Sequence, residues 1–310
     1  STLFPYTTLF RSTNFSHNFM YSRGETRSLM QSSANMWLRD YHFDGLRMDA
    51  ISRIIYWQGD EARGVNGNAV DFVRSMNGEL KRLNPNCILI AEDSTNFKGT
   101  TRPTKEGGLG FDYKWDMGWM HDTLDFLHMD PYFRGPNYGR LSFSMMYFPN
   151  ERYLLPLSHD EVVHGKGTIV QKMWGELDQK LPQARSLYLY MMTHPGKKLN
   201  FMGFELAQLR EWDERREQDW SLRGCPDHEA FWRFCEALNH TYLDQPALWE
   251  RDYDPEGFEW RDVTSNERVC FAFERKDSQG GRLLTLLNLS GVTQEDWEVE
   301  LPDKIGRAHV

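Results

Sequence analysis

Hydrophobic residues recur at helical spacing in two segments near the start of the chain, and an apolar run follows each segment. The helical spacing covers residues 25–41 and 69–83, where the apolar positions would form a stripe along one side of a helix. The apolar runs at 43–48 and 87–91 have the length of strands, and the second is apolar throughout, as is typical of a strand buried on both faces. Helix, strand, helix and strand in this order predict a parallel β/α architecture.

Two further units continue this alternation. The run at 152–158 predicts a third strand, and a helix at 181–193, with Pro182 in its first turn, precedes a fourth strand at 198–202. Each predicted strand is followed by ionisable residues. Because the active site of a parallel α/β barrel lies at the C-terminal ends of its strands, this pattern predicts an enzyme with (β/α)8-type architecture.

A second pattern follows residue 245, where short strands come without intervening helices. They are predicted at 258–260, 269–273 and 283–289, with a turn at 278–281. The sequence is therefore predicted to contain a partial catalytic barrel, 13–245, and the start of a small antiparallel β domain, 246–303.

The two ends of the chain look foreign to the rest. Residues 2–12 and 305–310 resemble translated sequencing adapters. We therefore expect a gene clipped at both ends, with non-native segments at 1–12 and 304–310 that take no part in the fold.

Composition narrows the classes of function. A chain of 310 residues with a formal net charge of −9 is a poor partner for nucleic acid or an anionic membrane. No apolar run reaches the length of a membrane span. Four cysteines without close pairs or metal-ligand spacing indicate reduced thiols in a cytoplasmic protein; they are Cys87, Cys225, Cys235 and Cys270.

Three carboxylates follow three different predicted strands: Asp49, Glu92 and Asp160. Arg47 would share a strand face with Asp49, and its charge would favour an ionised carboxylate there. Burial after an apolar run would raise the pKa of Glu92, which suits an acid that carries a proton near neutrality. A nucleophile and an acid/base of this kind are what a retaining glycosidase needs. Taken singly, each acid also fits a helix cap or a structural ion pair.

Three motifs at these acids resemble signature regions of the α-amylase superfamily. They are FDGLRMDA at 43–50, IAEDST at 90–95 and LSHDEVVHGKG at 157–167. The resemblance implies that Asp49 is the nucleophile, Glu92 the general acid/base and Asp160 the stabiliser of the transition state. It also implies that Arg47 and His159 bind substrate next to these acids.

Finer features resemble the bacterial 1,4-α-glucan branching enzymes within that superfamily. These are the aromatic segment GFDYKWDMGWM at 110–120 and the segment FMGFELAQ at 201–208, followed by Glu211-Trp212. The resemblance implies an enzyme that cleaves an α-1,4 link of glycogen or amylose and passes the glucan to a 6-hydroxyl group. It further implies no cofactor, no metal and a monomer.

Aromatic side chains are candidates for holding the glucan, with core packing as the competing interpretation for each. They are Trp115 and Trp119, and also Trp174, Trp212 and Trp220. Two other functions stay open: an α-1,4-glucan hydrolase of the same superfamily, such as an amylase or a maltooligosyltrehalose trehalohydrolase, and a noncatalytic glucan-binding fragment.

The family's first signature region and the first strands of the barrel have no counterpart in this sequence. An open half barrel exposes apolar strand edges, which favours aggregation. We therefore expect the chain as written to be inactive or poorly folded, although it derives from an active enzyme.

Overall fold

A computed structural model describes residues 19–301 of the chain. The predicted non-native segments, 1–12 and 304–310, lie outside the described residues. The chain divides into two compact units. Unit 1 runs to Asp116 and includes Asn150–Tyr153, and unit 2 comprises Met117–Pro149 and the residues from Leu154 onward.

Unit 1 contains the two predicted helix–strand pairs, together with a short helix and a third strand that the sequence analysis did not predict. Its elements are α1 (Gly24–Arg39), β1 (Gly45–Met48), α2 (Ser52–Ile55), α3 (Gly67–Leu83), β2 (Ile88–Ala91) and β3 (Tyr113–Trp115). Strand β2 pairs in parallel with both β1 and β3. The register places Met48 opposite Ala91, so the residues that follow these two positions leave the sheet at the same end.

Helix α3 supplies the apolar layer that covers this sheet. Its predicted stripe is buried, and it consists of Val70, Val73, Met76 and Leu80. The side chain of Asn66 caps the helix by accepting from the amide of Ala69. Burial of such a stripe supplies most of the free energy that holds a helix on a sheet.

The prediction that β2 is buried on both faces is wrong. Leu89 is 2% exposed, but Ile88 is 42% exposed. The side chains of a strand alternate between its two faces, and within residues 19–301 an apolar layer covers only the face of Leu89. Strand β1 is likewise only half-buried, and Phe43, placed in that strand by the sequence, is exposed and precedes it.

Unit 2 begins with helices and continues with a second pair of parallel strands. Its elements are α4 (Met117–His128), α5 (Gly139–Ser142), α6 (Ser144–Tyr147), β4 (Tyr153–Leu157, with Tyr153 counted in unit 1), α7 (Leu177–Thr193), β5 (Lys197–Asn200) and α8 (Pro226–Asp244). Strands β4 and β5 pair in parallel, and every residue of β4 is buried.

The position of Pro182 in α7 differs from the prediction. The helix begins at Leu177, so Pro182 lies inside it rather than in its first turn. Glu176 and Gln179 form a capping box that starts the helix early. Strand β5 also ends sooner than predicted, at Asn200 rather than residue 202.

The predicted antiparallel strands are confirmed. They are β6 (Phe258–Asp262), β7 (Cys270–Lys276) and β8 (Arg282–Asn288), paired in that order. Six of the seven residues of β7 are buried. Parallel strands alternating with helices, followed by this sheet, make a mixed α/β protein that is compatible with part of a (β/α)8 barrel and a β domain.

No helix in residues 19–301 has the length and apolar character that crossing a membrane requires. All four cysteines are free thiols.

Candidate active site

One guanidinium group joins two carboxylates at the end of β1 and β2. The Nη1 atom of Arg47 donates to Asp49 Oδ1 at 2.7 Å and to Glu92 Oε2 at 2.5 Å. The two acceptor oxygens therefore lie at most about 5 Å apart, which is compatible with the close carboxyl groups of a retaining pair. The structure thus brings together Arg47, Asp49 and Glu92, as the sequence predicts.

Main-chain hydrogen bonds fix the two acids relative to each other. The amide of Glu92 donates to the carbonyl of Met48 at 3.0 Å, and the amide of Ile51 donates to the carbonyl of Glu92 at 3.0 Å. These bonds continue the β1–β2 ladder past the last paired residues. The position of both side chains is therefore set by backbone pairing, which is stiffer than a surface loop.

Trp115 lies beneath this cluster instead of standing free as a sugar platform. The guanidinium carbon of Arg47 lies 4.5 Å from the centre of the Trp115 ring. The ring is 4% exposed. A cation held over an indole face gains electrostatic energy and loses freedom of movement, so Trp115 orients the arginine that holds the acids.

The environment of Glu92 favours its protonated form. Burial, the hydrogen bond with Asp49 and the negative charge of Asp49 raise the pKa of Glu92 from 4.5 to about 7, against the opposing effects of Arg47 and the amide of Ala50. A carboxyl group with this pKa is about half protonated at neutral pH, which suits a group that both gives and takes a proton. The arrangement can therefore present one carboxylic acid and one further carboxyl group to a bound substrate.

A buried ion pair that the sequence analysis missed lies next to Glu92. The ammonium of Lys114 in β3 donates to Asp93 Oδ2 at 2.8 Å and to the carbonyl of Thr95 at 3.0 Å. The side chains of Lys114 and Asp93 are 5% and 0% exposed. A lysine between two aromatic residues was the available signal, because a charge buried among apolar side chains needs a partner.

His159 and Asp160 lie in unit 2, in a short helical turn after β4. The turn is His159–Val162, and its cap is Ser158, whose side chain and amide form a capping box with Glu161. Asp160 is therefore not the N-cap, and its side chain is 43% exposed. Its Oδ1 atom lies 3.4 Å from His159 Nε2, so the two predicted groups of this motif are adjacent.

A cleft of about 560 Å³ opens beside these two side chains. Its lining includes His159, Asp160, Arg210, Glu211 and Trp212. The ring of Trp212 lies 6.5 Å from that of His159. Polar groups that converge beside an aromatic ring are typical of a saccharide-binding cleft.

No family model matches the chain, but many individual proteins do. It is 41% identical over 294 residues to the 1,4-alpha-glucan branching enzyme GlgB of Leifsonia xyli subsp. xyli, a match that covers 92% of this chain and 40% of the relative. It is 42% identical over 286 residues to the enzyme of the same name from Bacillus caldolyticus, covering 92% and 43%.

The match to the enzyme of Clostridium perfringens is of the same kind, with 40% identity over 299 residues, 92% of this chain and 45% of the relative. The chain is thus similar, over 92% of its length, to curated proteins that bear the name 1,4-alpha-glucan branching enzyme. It spans less than half the length of these curated relatives.

The other aromatic residues that the sequence predicts to contact glucan differ in their surroundings. Trp119 is 1% exposed and packs against Tyr190 and His194 in the core of unit 2, so core packing is the role this position favours. Trp220 is 47% exposed and lies edge-on to Trp232. Exposure of this kind leaves a ring face available to a sugar, whereas complete burial does not.

Replacement of Lys114 by Met is expected to destabilise unit 1 strongly. The change leaves the buried charge of Asp93 without its partner, a loss typically about 3–5 kcal/mol in unfolding free energy. Urea denaturation measures it. Lys105→Met, at an exposed position of the same unit, is the matched control. Adding Asp93→Asn should recover part of the loss; a Lys114→Met variant as stable as the control would contradict the buried pair.

Replacement of Glu92 by Gln is expected to change the pH dependence of stability. Because folding raises the pKa of Glu92 from 4.5 to about 7, its stabilising contribution is present below pH 4.5 and is lost as the pH rises through 7. The unsubstituted chain should therefore lose unfolding free energy relative to Glu92→Gln between pH 5 and pH 8, by a few kcal/mol at most.

Urea denaturation at the two pH values provides the measurement. Glu106→Gln removes an exposed carboxylate of the same unit and is the control. If the two proteins differed by the same unfolding free energy at both pH values, folding would not raise the pKa of Glu92.

Proposed function

We propose that the chain carries the catalytic groups of a 1,4-α-glucan branching enzyme. Such an enzyme cleaves an α-1,4 link and transfers the released glucan to a 6-hydroxyl group, forming an α-1,6 branch. The observation that carries the proposal is the pair Asp49 and Glu92, bridged by Arg47, in a chain whose relatives bear the name 1,4-alpha-glucan branching enzyme.

The geometry supports a double displacement. Asp49 attacks the anomeric carbon, and Glu92 gives its proton to the oxygen of the departing chain, which leaves a glucan covalently attached to Asp49. Glu92, now ionised, takes the proton of the incoming 6-hydroxyl, whose oxygen displaces Asp49. Each step inverts the anomeric carbon, so the α configuration is retained.

Arg47, Asp160 and His159 have supporting roles in this proposal. Arg47 holds the two carboxyl groups close in space by donating to both of them. Asp160 and His159 bind hydroxyl groups of the glucan, since both side chains are partly exposed and line one cleft. Such hydrogen bonds strengthen in the transition state of glycoside transfer.

The proposal includes the finer assignments made from the sequence. These are a (β/α)8 barrel that continues beyond the described strands, a monomer that acts on glycogen or amylose, and a cytoplasmic location, supported by the free state of the four cysteines. Among the described residues, 19–301, no cluster of three or more His, Cys, Asp or Glu side chains is arranged for a metal ion.

Replacement of Asp49 by Ala is expected to abolish branch formation, because no covalent intermediate can form. Residues 1–310 are incubated with amylose, and so is a chimera in which this chain replaces the matched 286-residue segment of the Bacillus caldolyticus relative. Proton NMR signals of α-1,6 links, together with the iodine spectrum, report branching.

Three outcomes are informative in that experiment. New α-1,6 signals that disappear in the Asp49→Ala variant support the proposal. Release of reducing sugar without such signals would identify a hydrolase instead. Glucan binding without turnover, in folded samples of both the chain and the chimera, would leave only a binding function.

The rate of transfer is expected to fall as the pH rises through about 7, because the first step needs a protonated Glu92. Glu92→Gln should lose transfer from amylose by about 10²-fold or more. It should retain formation of the covalent intermediate from an α-glycosyl fluoride, whose leaving group needs no proton. Equal losses with both donors would argue against Glu92 as the acid.

A further inference from the structure

The segment after Asp160 has an unusual backbone. The glycine loop, His164–Gly167, contains three positive φ angles: 61° at His164, 80° at Gly165 and 76° at Gly167. Glycine adopts such angles readily, but a histidine there is strained. A strained loop next to a functional side chain keeps its shape only if the surrounding structure holds it.

Glu211 supplies that support. Its Oε2 atom accepts from the amide of Gly165 at 3.0 Å, and its Oε1 atom accepts from the amide of Gly167 at 2.6 Å. These two bonds lower the pKa of Glu211 below its usual range, so the carboxylate is ionised at neutral pH. Each oxygen is thus engaged by one amide of the loop, and hydrogen bonds of this charge-assisted type are the stronger kind.

Lys166 connects the glycine loop to Asp160. It lies between the two bonded glycines, and its ammonium donates to the carbonyl of Asp160 at 2.7 Å. The adjacent amide of Trp212 donates to the carbonyl of Val162 at 3.1 Å. The Glu211-Trp212 dipeptide therefore contacts the backbone at three positions of the segment that follows Asp160.

We propose that Glu211 is a positioning residue that acts on Asp160 and His159 through the glycine loop. This inference rests on the proposed function, because the two side chains that Glu211 positions are those proposed to bind hydroxyl groups of the glucan. Glu211 fixes the two glycine amides, the loop fixes the ammonium of Lys166, and Lys166 fixes the backbone of Asp160. The neighbouring Trp212 places its ring beside His159.

Glu211→Gln tests the first step of the proposal, the hydrogen bonds between Glu211 and the glycine loop. Glutamine keeps the size of the side chain but replaces one acceptor oxygen by an NH2 group, which cannot accept from a backbone amide. Hydrogen exchange of the Gly165 and Gly167 amides, followed by NMR on residues 1–310, should become about tenfold faster or more. Glu217→Gln, at an exposed position of the same segment, is the charge-matched control and should change neither amide.

The same samples test whether the loop reaches the functional side chains. The ring protons of His159 lie near the rings of Phe201 and Trp212, so their chemical shifts report the position of the imidazole. They should move in Glu211→Gln and stay in place in Glu217→Gln. Unchanged exchange, or faster exchange with an unmoved His159, would overturn the inference.

Measurements of kcat and KM test whether the positioning by Glu211 contributes to the rate of transfer. In the chain or chimera that shows transfer, Glu211→Gln should lower kcat about tenfold while KM changes little, since mispositioning acts on the transition state. A purely structural role would instead lower the melting temperature and leave kcat of the folded fraction unchanged. If the unsubstituted protein shows no transfer, the proposed function fails, whereas the exchange and His159 measurements still decide the positioning.

Discussion

The site in unit 1 depends on the sharing of one guanidinium nitrogen between two carboxyl groups. Asp49 and Glu92 would repel each other at this separation if both were ionised, and Arg47 donates to both at once. The arginine lowers the repulsion without removing it, so the pKa of Glu92 still rises to about 7. The balance of burial, repulsion and one positive charge thus turns two similar residues into two different chemical groups.

The rest of unit 1 restrains this balance from several sides. The ladder between β1 and β2 fixes where both acids leave the sheet, and the ring of Trp115 limits the movement of Arg47. The buried ion pair of Lys114 and Asp93 anchors the chain immediately after Glu92. Each restraint belongs to a strand or adjoins one, which places reacting groups more accurately than a mobile loop does.

Much of this could be predicted from the sequence, and the failures have physical causes. The stripe of α3 and the acids at the strand ends were predictable because periodicity and strand order are local signals. The different surroundings of Trp115 and Trp119 were not, because the burial of an aromatic residue depends on which elements pack around it. The exposure of Ile88 was missed for a related reason: an apolar run does not reveal whether a second layer covers it.

Unit 2 holds its predicted functional residue, Asp160, in place by a different means. Asp160 lies in a short helical turn rather than directly at a ladder, and the following loop contains left-handed backbone that is strained at His164. Bonds from Glu211 and Lys166 to main-chain atoms replace the missing ladder. Sequence analysis cannot find such a connection, because Glu211 lies 46 positions from Gly165 along the chain. Sequence motifs therefore do not reveal charged residues that bond to the backbone of a segment far away along the chain.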